Sequence, residues 1–271
     1  MNSCLSPQVI GMVHFSPLNG DPAYPGEKIL FDRALADIHA LQNGGVDAIM
    51  FENNFDNPKF EILPKEQAES FSLLVERLLP KVKLPWGVSA LWNDYRLALS
   101  LCQKFGGVMV RVPVFADQVE TVYGIFDGHP EDVLSFRSSI GADHVKIYVD
   151  VQVKHARLTQ PRPLAESIAD TVSYPIDGII LTGSWTGDPP SVEDCQLARS
   201  LAPRHMEVLT GSGMTSENIG AFLPYMQGCI IGTAFKEVKG PQKSGPNVVG
   251  PEVRYDPERV QGFMQKIRWH T

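Results

Sequence analysis

Only four cysteines occur in 271 residues, and no two of them form a C-x-x-C pair, which argues against a disulfide framework. Cys4, Cys102, Cys195 and Cys229 are expected as reduced thiols in a cytoplasmic protein. No stretch approaches about 18 uninterrupted apolar residues, so a soluble chain without a membrane-spanning helix is expected. The N-terminus lacks the basic and apolar regions of a secretory signal. Basic residues are not in excess: 24 Lys and Arg stand against 31 Asp and Glu, a net charge of −7. That balance argues against non-specific binding to nucleic acid or an anionic membrane, but leaves room for a local basic pocket. An early G-x-G-x-x-G is missing, and with it the fingerprint of a dinucleotide-binding fold. No tight ligand pair such as H-x-H occurs, so no metal or other cofactor is assigned. A divalent ion shared by His14, Glu52, Asp94, Asp150 and His155 stays open as an alternative.

Alternation of apolar runs is what the chain does have. Hydrophobic residues make up 43% and charged residues 20%, enough for a sizeable core. Strands are expected over 9–15, 46–51, 86–91, 108–112, 144–149 and 176–182, with two more short runs at Val208-Leu209 and Cys229–Ile231. Helices are expected over 27–42, 64–79, 93–105, 130–140, 163–173, 191–201 and 257–269. The first has apolar residues at Ile29, Leu30, Ala34, Ile38 and Leu41 and a C-cap signal at Asn43-Gly44-Gly45. About eight such units imply parallel strands with right-handed crossovers. The length suits one (β/α)8 TIM barrel, which takes about 250 residues, spanning 1–271 as one domain. An open doubly wound sheet is the alternative. The segment 237–256, rich in Gly and Pro, reads as a lid or a disordered excursion.

Two glycine turns stand out within 207–236, which reads EVLTGSGMTSENIGAFLPYMQGCIIGTAFK. One apolar run ends in Gly211-Ser212-Gly213 and the next in Gly232-Thr233. Thr215 reads as the N-cap of a short helix carrying Asn218. Turns of this kind on consecutive strands resemble the phosphate cradle after strands seven and eight of such barrels. A phosphorylated small molecule is the expected partner.

Strand parity locates the chemistry. In a barrel strand alternate side chains face the helices and the lumen. The parity of Ile49 and Phe51 turns Glu52 inward. That of Val110 and Val112 turns Arg111 inward, and that of Ile147 and Val149 turns Lys146, Tyr148 and Asp150 inward. Thr182 and His14 follow at the ends of the sixth and first strands. Lys146 is expected deeper, paired with Glu52 or Asp150. Beyond the strand ends lie Asn53, Asp56, Asn93, Asp94, Lys154, His155 and Thr186. Glu52, Asp94, Asp150, His155 and Lys154 are the catalytic candidates, because buried carboxylates and loop-borne bases suit proton transfer. His14, Asn53, Asn93, Arg111, Thr182 and Thr186 are candidates for holding substrate, Arg111 by bidentate bonding to an oxyanion. An imine-forming role for Lys154 is the less favoured reading, since His155 beside it suits hydrogen bonding.

These motifs resemble the BtpA/SgcQ family from about Val9 to Met264. The matching pieces are Ile10–His14 with Pro17-Leu18, Gly44–Asp47, Phe51–Asn53 with Asp56 and Pro58, and Gly87-Val88 with Leu91 and Asn93-Asp94. They continue through Arg111-Val112, Asp150-Val151, Val153–Ala156, Leu181–Gly183 with Thr186-Gly187, Gly211–Gly213 with Glu217-Asn218, and Gly232-Thr233 with Phe235-Lys236. Ser89 and Trp92 depart from the Asn and Arg usual in the family. The resemblance implies a ribulose-phosphate-binding type of barrel. One branch is named for photosystem I biogenesis, and another stands with sugar-utilisation proteins as a nucleosidase. An enzyme acting on a phosphorylated sugar or nucleoside-type molecule, a hydrolase or isomerase, is therefore expected. A non-catalytic assembly factor is the alternative. Homo-oligomerisation through outer helices, with Trp269 near the C-terminus, stays open.

Overall fold

The structure is a computed structural model that describes residues 8–236 and 249–269. Eight parallel strands close a barrel: β1 (Gln8–His14), β2 (Ala48–Glu52), β3 (Trp86–Ser89), β4 (Met109–Val112), β7 (Lys146–Asp150), β9 (Gly178–Thr182), β10 (Glu207–Gly211) and β11 (Gly228–Ile231). β11 pairs with β1, which shuts the sheet on itself and leaves no open edge. The helices are α1 (Glu27–Gly44), α2 (Lys65–Leu78), α3 (Tyr95–Phe105), α4 (Pro130–Ser139), α5 (Leu164–Thr171), α6 (Val192–Leu201) and α7 (Pro257–Trp269). The closed (β/α)8 barrel is the expected architecture, and the open sheet is set aside.

Two apolar layers follow from strand parity. Val9, Val13, Ile49, Phe51, Val110, Val112, Ile147 and Val149 face the helices in the main core. Ile10, Met12, Ala48, Met50, Met109, Tyr148, Ile180, Leu209 and Ile230 fill the lumen as a separate plug. The plug seals the barrel below the polar residues, so those residues sit on an apolar floor.

The structure departs from the sequence reading in three places. First, Lys146 does not lie beside Glu52 or Asp150. It opens β7 at the opposite end of the barrel and pairs with Glu207 at 2.6 Å, its side chain 46% exposed. Parity gives the face of a strand residue but not its depth. Second, the helix expected after Thr215 shrinks to a 3-10 turn, Ile219–Ala221. The Asn218 side chain accepts from Thr215 N–H and donates to the Gly213 carbonyl, while Thr215 Oγ1 accepts from two backbone amides. These local bonds compete with helical ones, and Pro224 blocks extension.

Third, the loops after β4 and β7 build a small antiparallel sheet absent from the sequence reading: β5 (Val119–Thr121), β6 (Gly124–Phe126) and β8 (Ala156–Leu158), in the order β6-β5-β8. It rests on a cluster of Trp92, Val114, Val119, Phe126 and Val153 and forms one wall of the barrel mouth. Of the expected lid 237–256, residues 237–248 lie outside the described residues, as does Cys4. Cys102, Cys195 and Cys229 are free and buried. No described helix is long and apolar enough to cross a membrane.

Candidate active site

Five strand ends bring their last inward residues together. Arg111, at the end of β4, donates through Nε and Nη2 to both oxygens of Asp150, each at 2.8 Å. Its Nη1 reaches Glu52 Oε2 at 3.2 Å. Ser89 Oγ donates to the same Glu52 oxygen at 2.9 Å, and His14 Nε2 lies 3.5 Å from Oε1. The barrel register explains the gathering, because His14 pairs with Glu52 and Glu52 with Ser89 across adjacent strands. Burial opposes the Arg111 charge, but Asp150 and then Glu52 more than offset it and raise its pKa. The Asp150 side chain is fully buried, so it holds Arg111 and does not face the cavity.

A cavity of about 1780 Å³ opens above this network. His14, Glu52, Arg111, Lys154, His155, Thr182, Thr186, Gly211, Ser212, Gly213, Gly232 and Thr233 all line it. Burial, then the charges of Lys236 and Lys154, hold His14 well below the ordinary histidine range, so it is neutral at pH 7. Lys154 donates to Ser212 Oγ at 3.3 Å, joining the loop after β7 to the glycine turn after β10. Burial and then Arg111 push Lys154 down to about 8, with Glu52 and Asp150 opposing. His155 bonds Thr186 Oγ1 at 2.8 Å and packs on Trp185, and burial lowers it to about 4. The Thr182 hydroxyl and His155 Nδ1 are buried with no partner among the described residues.

Three expected site residues are elsewhere. Asp94 caps α3, accepting from Leu97 N–H at 3.0 Å and Leu63 N–H at 3.1 Å. Asn53 ties the loop after β2 to both backbone groups of Leu91. Asn93 does the same to Val114 in the loop after β4. These side chains stitch neighbouring loops and spend their polar groups on backbone. Parity fails beyond the last strand residue, because the turn redirects the side chain. Among the described residues no group of three or more His, Cys, Asp or Glu is arranged to hold a metal ion.

The glycine turns make close approaches, but to protein. A Cβ on Gly213, at φ 61, would stand 2.2 Å from Pro189 N. One on Gly232 would stand 2.7 Å from His14 Cε1. The turns thus admit the loop 183–189 and the His14 ring, and leave Ser212 Oγ and Thr233 at the cavity wall. Gly213→Ala is expected to destabilise by about 1–3 kcal/mol, because a strained left-handed residue meets fixed backbone. A urea midpoint unchanged from wild type would show that the loop yields.

Sequence reasoning gave no site role to Lys59, Ser89 or Lys236. Ser89 was legible, being polar at the inward end of β3. Lys59 lines the cavity but is bonded to the carbonyls of Asn54 and Asp56 at 2.7 and 2.8 Å, and burial lowers its pKa. The deep wall therefore carries Lys59, Arg111, Lys154 and Lys236 with Glu52, and Asp150 lies behind Arg111, a surplus of positive charge in a chain of net charge −7.

Fold and site define a (β/α)8 barrel with a basic, carboxylate-bearing mouth at the C-terminal strand ends, where barrels of this architecture carry their chemistry. The chain belongs to the BtpA family, whose model matches residues 6–268. The photosystem I biogenesis protein BtpA of Synechocystis sp. is 35% identical over 266 residues, covering 96% of this chain and 87% of that one. Among solved structures, thiamine phosphate pyrophosphorylase from Pyrococcus furiosus superposes with a TM-score of 0.58 at 10% identity, over 99% of both chains. Orotidine 5'-phosphate decarboxylase from Pyrococcus horikoshii does so with a TM-score of 0.55 at 12% identity, over 96% of this chain and 99% of that one. At these identities the likeness is one of fold.

Proposed function

We propose that this protein is an enzyme acting on a phosphorylated sugar or nucleoside-type small molecule. The observation that carries this reading is the Lys154 ammonium, which faces the cavity and, among the described residues, has no carboxylate ion pair and bonds only a hydroxyl on the turn after β10. A half-buried cation that touches no carboxylate favours an anion, and the basic groups around it deepen that preference. The phosphate would lie against Ser212, Gly213 and Thr233, with Lys154 as its counter-charge. The two superposed enzymes, both named for phosphorylated compounds, agree with this reading through fold analogy alone.

Glu52 and neutral His14 form the proton-transfer pair. Glu52 reaches the cavity while Arg111 and Ser89 hold its orientation, and His14 can accept or donate at pH 7. Such a pair suits isomerisation, where protons move between adjacent carbons. It also suits N-glycosidic hydrolysis, where a carboxylate stabilises positive charge on the sugar ring.

A thermal-shift panel of sugar phosphates and nucleotides, each with and without Mg²⁺, tests this. A ligand at 100 times its Kd stabilises by about 2.7 kcal/mol, which moves Tm by several degrees. Glu52→Gln is expected to keep that shift and lose about 10²–10⁴-fold in turnover of the hit, followed by NMR. Silence across the whole panel would favour the assembly-factor alternative.

A further inference from the structure

Lys236 ends the turn after β11, and among the described residues its ammonium meets aromatic rings and no carboxylate ion pair. The residue is 2% exposed, and its backbone is pinned by a bond to the Thr233 carbonyl and a bridge to Tyr255. Its ammonium lies 5.2 Å from the Phe55 ring centre and 5.4 Å from that of Tyr255, and it lines the cavity. Two aromatic faces stabilise a cation but leave its three N–H donors unused. The nearby carboxylate, Asp37, is already engaged by Arg254 at 2.6 Å and by Tyr255 N–H. The buried Tyr255 hydroxyl also lacks a partner among the described residues. Burial is the main cause lowering Lys236, to about 8.

Lys154 does not share this place. Lys154 bonds Ser212 Oγ, whereas Lys236 faces the Phe55 and Tyr255 rings. His14 senses both lysines. In the barrel β11 adjoins β1, while Lys154 follows β7 and bonds the turn after β10. The two ammonium groups therefore sit over different strand ends, Lys154 at the turn after β10 and Lys236 over Phe55, whose ring meets His14 edge-on at 6.3 Å.

We infer that Lys236 is a second anion-binding subsite and that the substrate carries two anionic groups, as a sugar bisphosphate or a phosphorylated sugar acid does. One group would face Lys154 and Ser212, the other Lys236, with the reacting carbons held between them at Glu52 and His14. This rests on the phosphorylated-ligand reading above.

Calorimetry at pH 7 with matched pairs tests it: fructose 6-phosphate against fructose 1,6-bisphosphate, ribulose 5-phosphate against ribulose 1,5-bisphosphate, and glucose 6-phosphate against 6-phosphogluconate. The last pair separates a carboxylate from a second phosphate. In at least one pair the two-ended member is expected to bind wild type about 10–100-fold tighter. Lys236→Met should erase that gap and leave the single-ended Kd within about twofold. Single-ended ligands that bind with no gain from a second anion overturn the inference and spare the earlier reading. Equal weakening of both members by Lys236→Met also overturns it, placing Lys236 in the one phosphate site. No binding by any member overturns both. The unliganded variant is expected to gain about 2–4 °C in Tm as an unpaired buried charge is removed. A fall in Tm would mark Lys236 as structural and count against the subsite.

Discussion

Arg111→Met is expected to destabilise the protein by about 3–5 kcal/mol at pH 7. The Asp150 side chain is fully buried and has both oxygens on the guanidinium, and Glu52, 4% exposed, shares it. Methionine fills much of the volume but leaves two carboxylates unpaired on an apolar floor. One of them must then take up a proton, so its folded pKa rises above the unfolded value. In the variant that term favours folding as pH falls, and the deficit against wild type should narrow between pH 7 and pH 5. Urea midpoints at both pH values measure it. A loss below about 1 kcal/mol at pH 7 would mean that water already reaches these carboxylates. Arg111→Lys should fall between, because it keeps the charge and loses the two-point grip.

Lys154→Met is expected to act in the opposite direction on stability and to weaken binding. The folded lysine titrates near 8, against about 10.5 when unfolded. Between those values the unfolded chain binds more protons, so this group makes wild-type stability rise with pH. The cost of the lysine is therefore fullest below pH 8 and gone above about 10.5, and the methionine variant's advantage follows the same course. Linkage sets about 3 kcal/mol as its upper limit, and the half-buried position of the residue brings the expectation to about 1–3 kcal/mol. Thermal unfolding of both proteins at pH 7 and pH 10 reads the difference. Any phosphorylated ligand found by the panel should lose about 10–100-fold in affinity. A variant that binds as wild type does would separate Lys154 from the phosphate. Lys146→Met serves as the contrast: its exposed pair with Glu207 should be worth under about 1 kcal/mol.

Stability and recognition thus pull apart at this mouth. Lys154 and Lys236 are costly where they stand, whereas Arg111 belongs to a network that satisfies itself. On the proposed reading, cations without an ion pair mark where a ligand would bind, and residues with a full set of partners mark the frame.

Much of the frame was legible from residue order. Alternating apolar runs predict parallel units, and inward parity at strand ends selects His14, Glu52, Arg111, Asp150 and Thr182. Those side chains converge because a strand rotates them by a fixed rule that every neighbouring strand shares. Asp94, Asn53 and Asn93 lie one to several residues past the strand ends, where that rule lapses, and each turned to the backbone of an adjoining loop. The sheet of β5, β6 and β8 was illegible for a related reason. β8 joins β5 from another loop, so no local pattern announces the pairing.

The sequence by itself determined the barrel, the family and the inward chemistry of the strand ends, because these follow from periodicities of two and 3.6 residues and from ordered motifs. Tertiary structure alone decided how deep each charge lies and which charges find partners. It sent Lys146 to the far end and Asp94 to a helix cap, set the glycine turns against the loop 183–189 and the His14 ring, and left Lys236 without an ion pair among the described residues. Depth and pairing depend on residues far apart in the chain meeting in space, and that meeting is set by closure of the barrel.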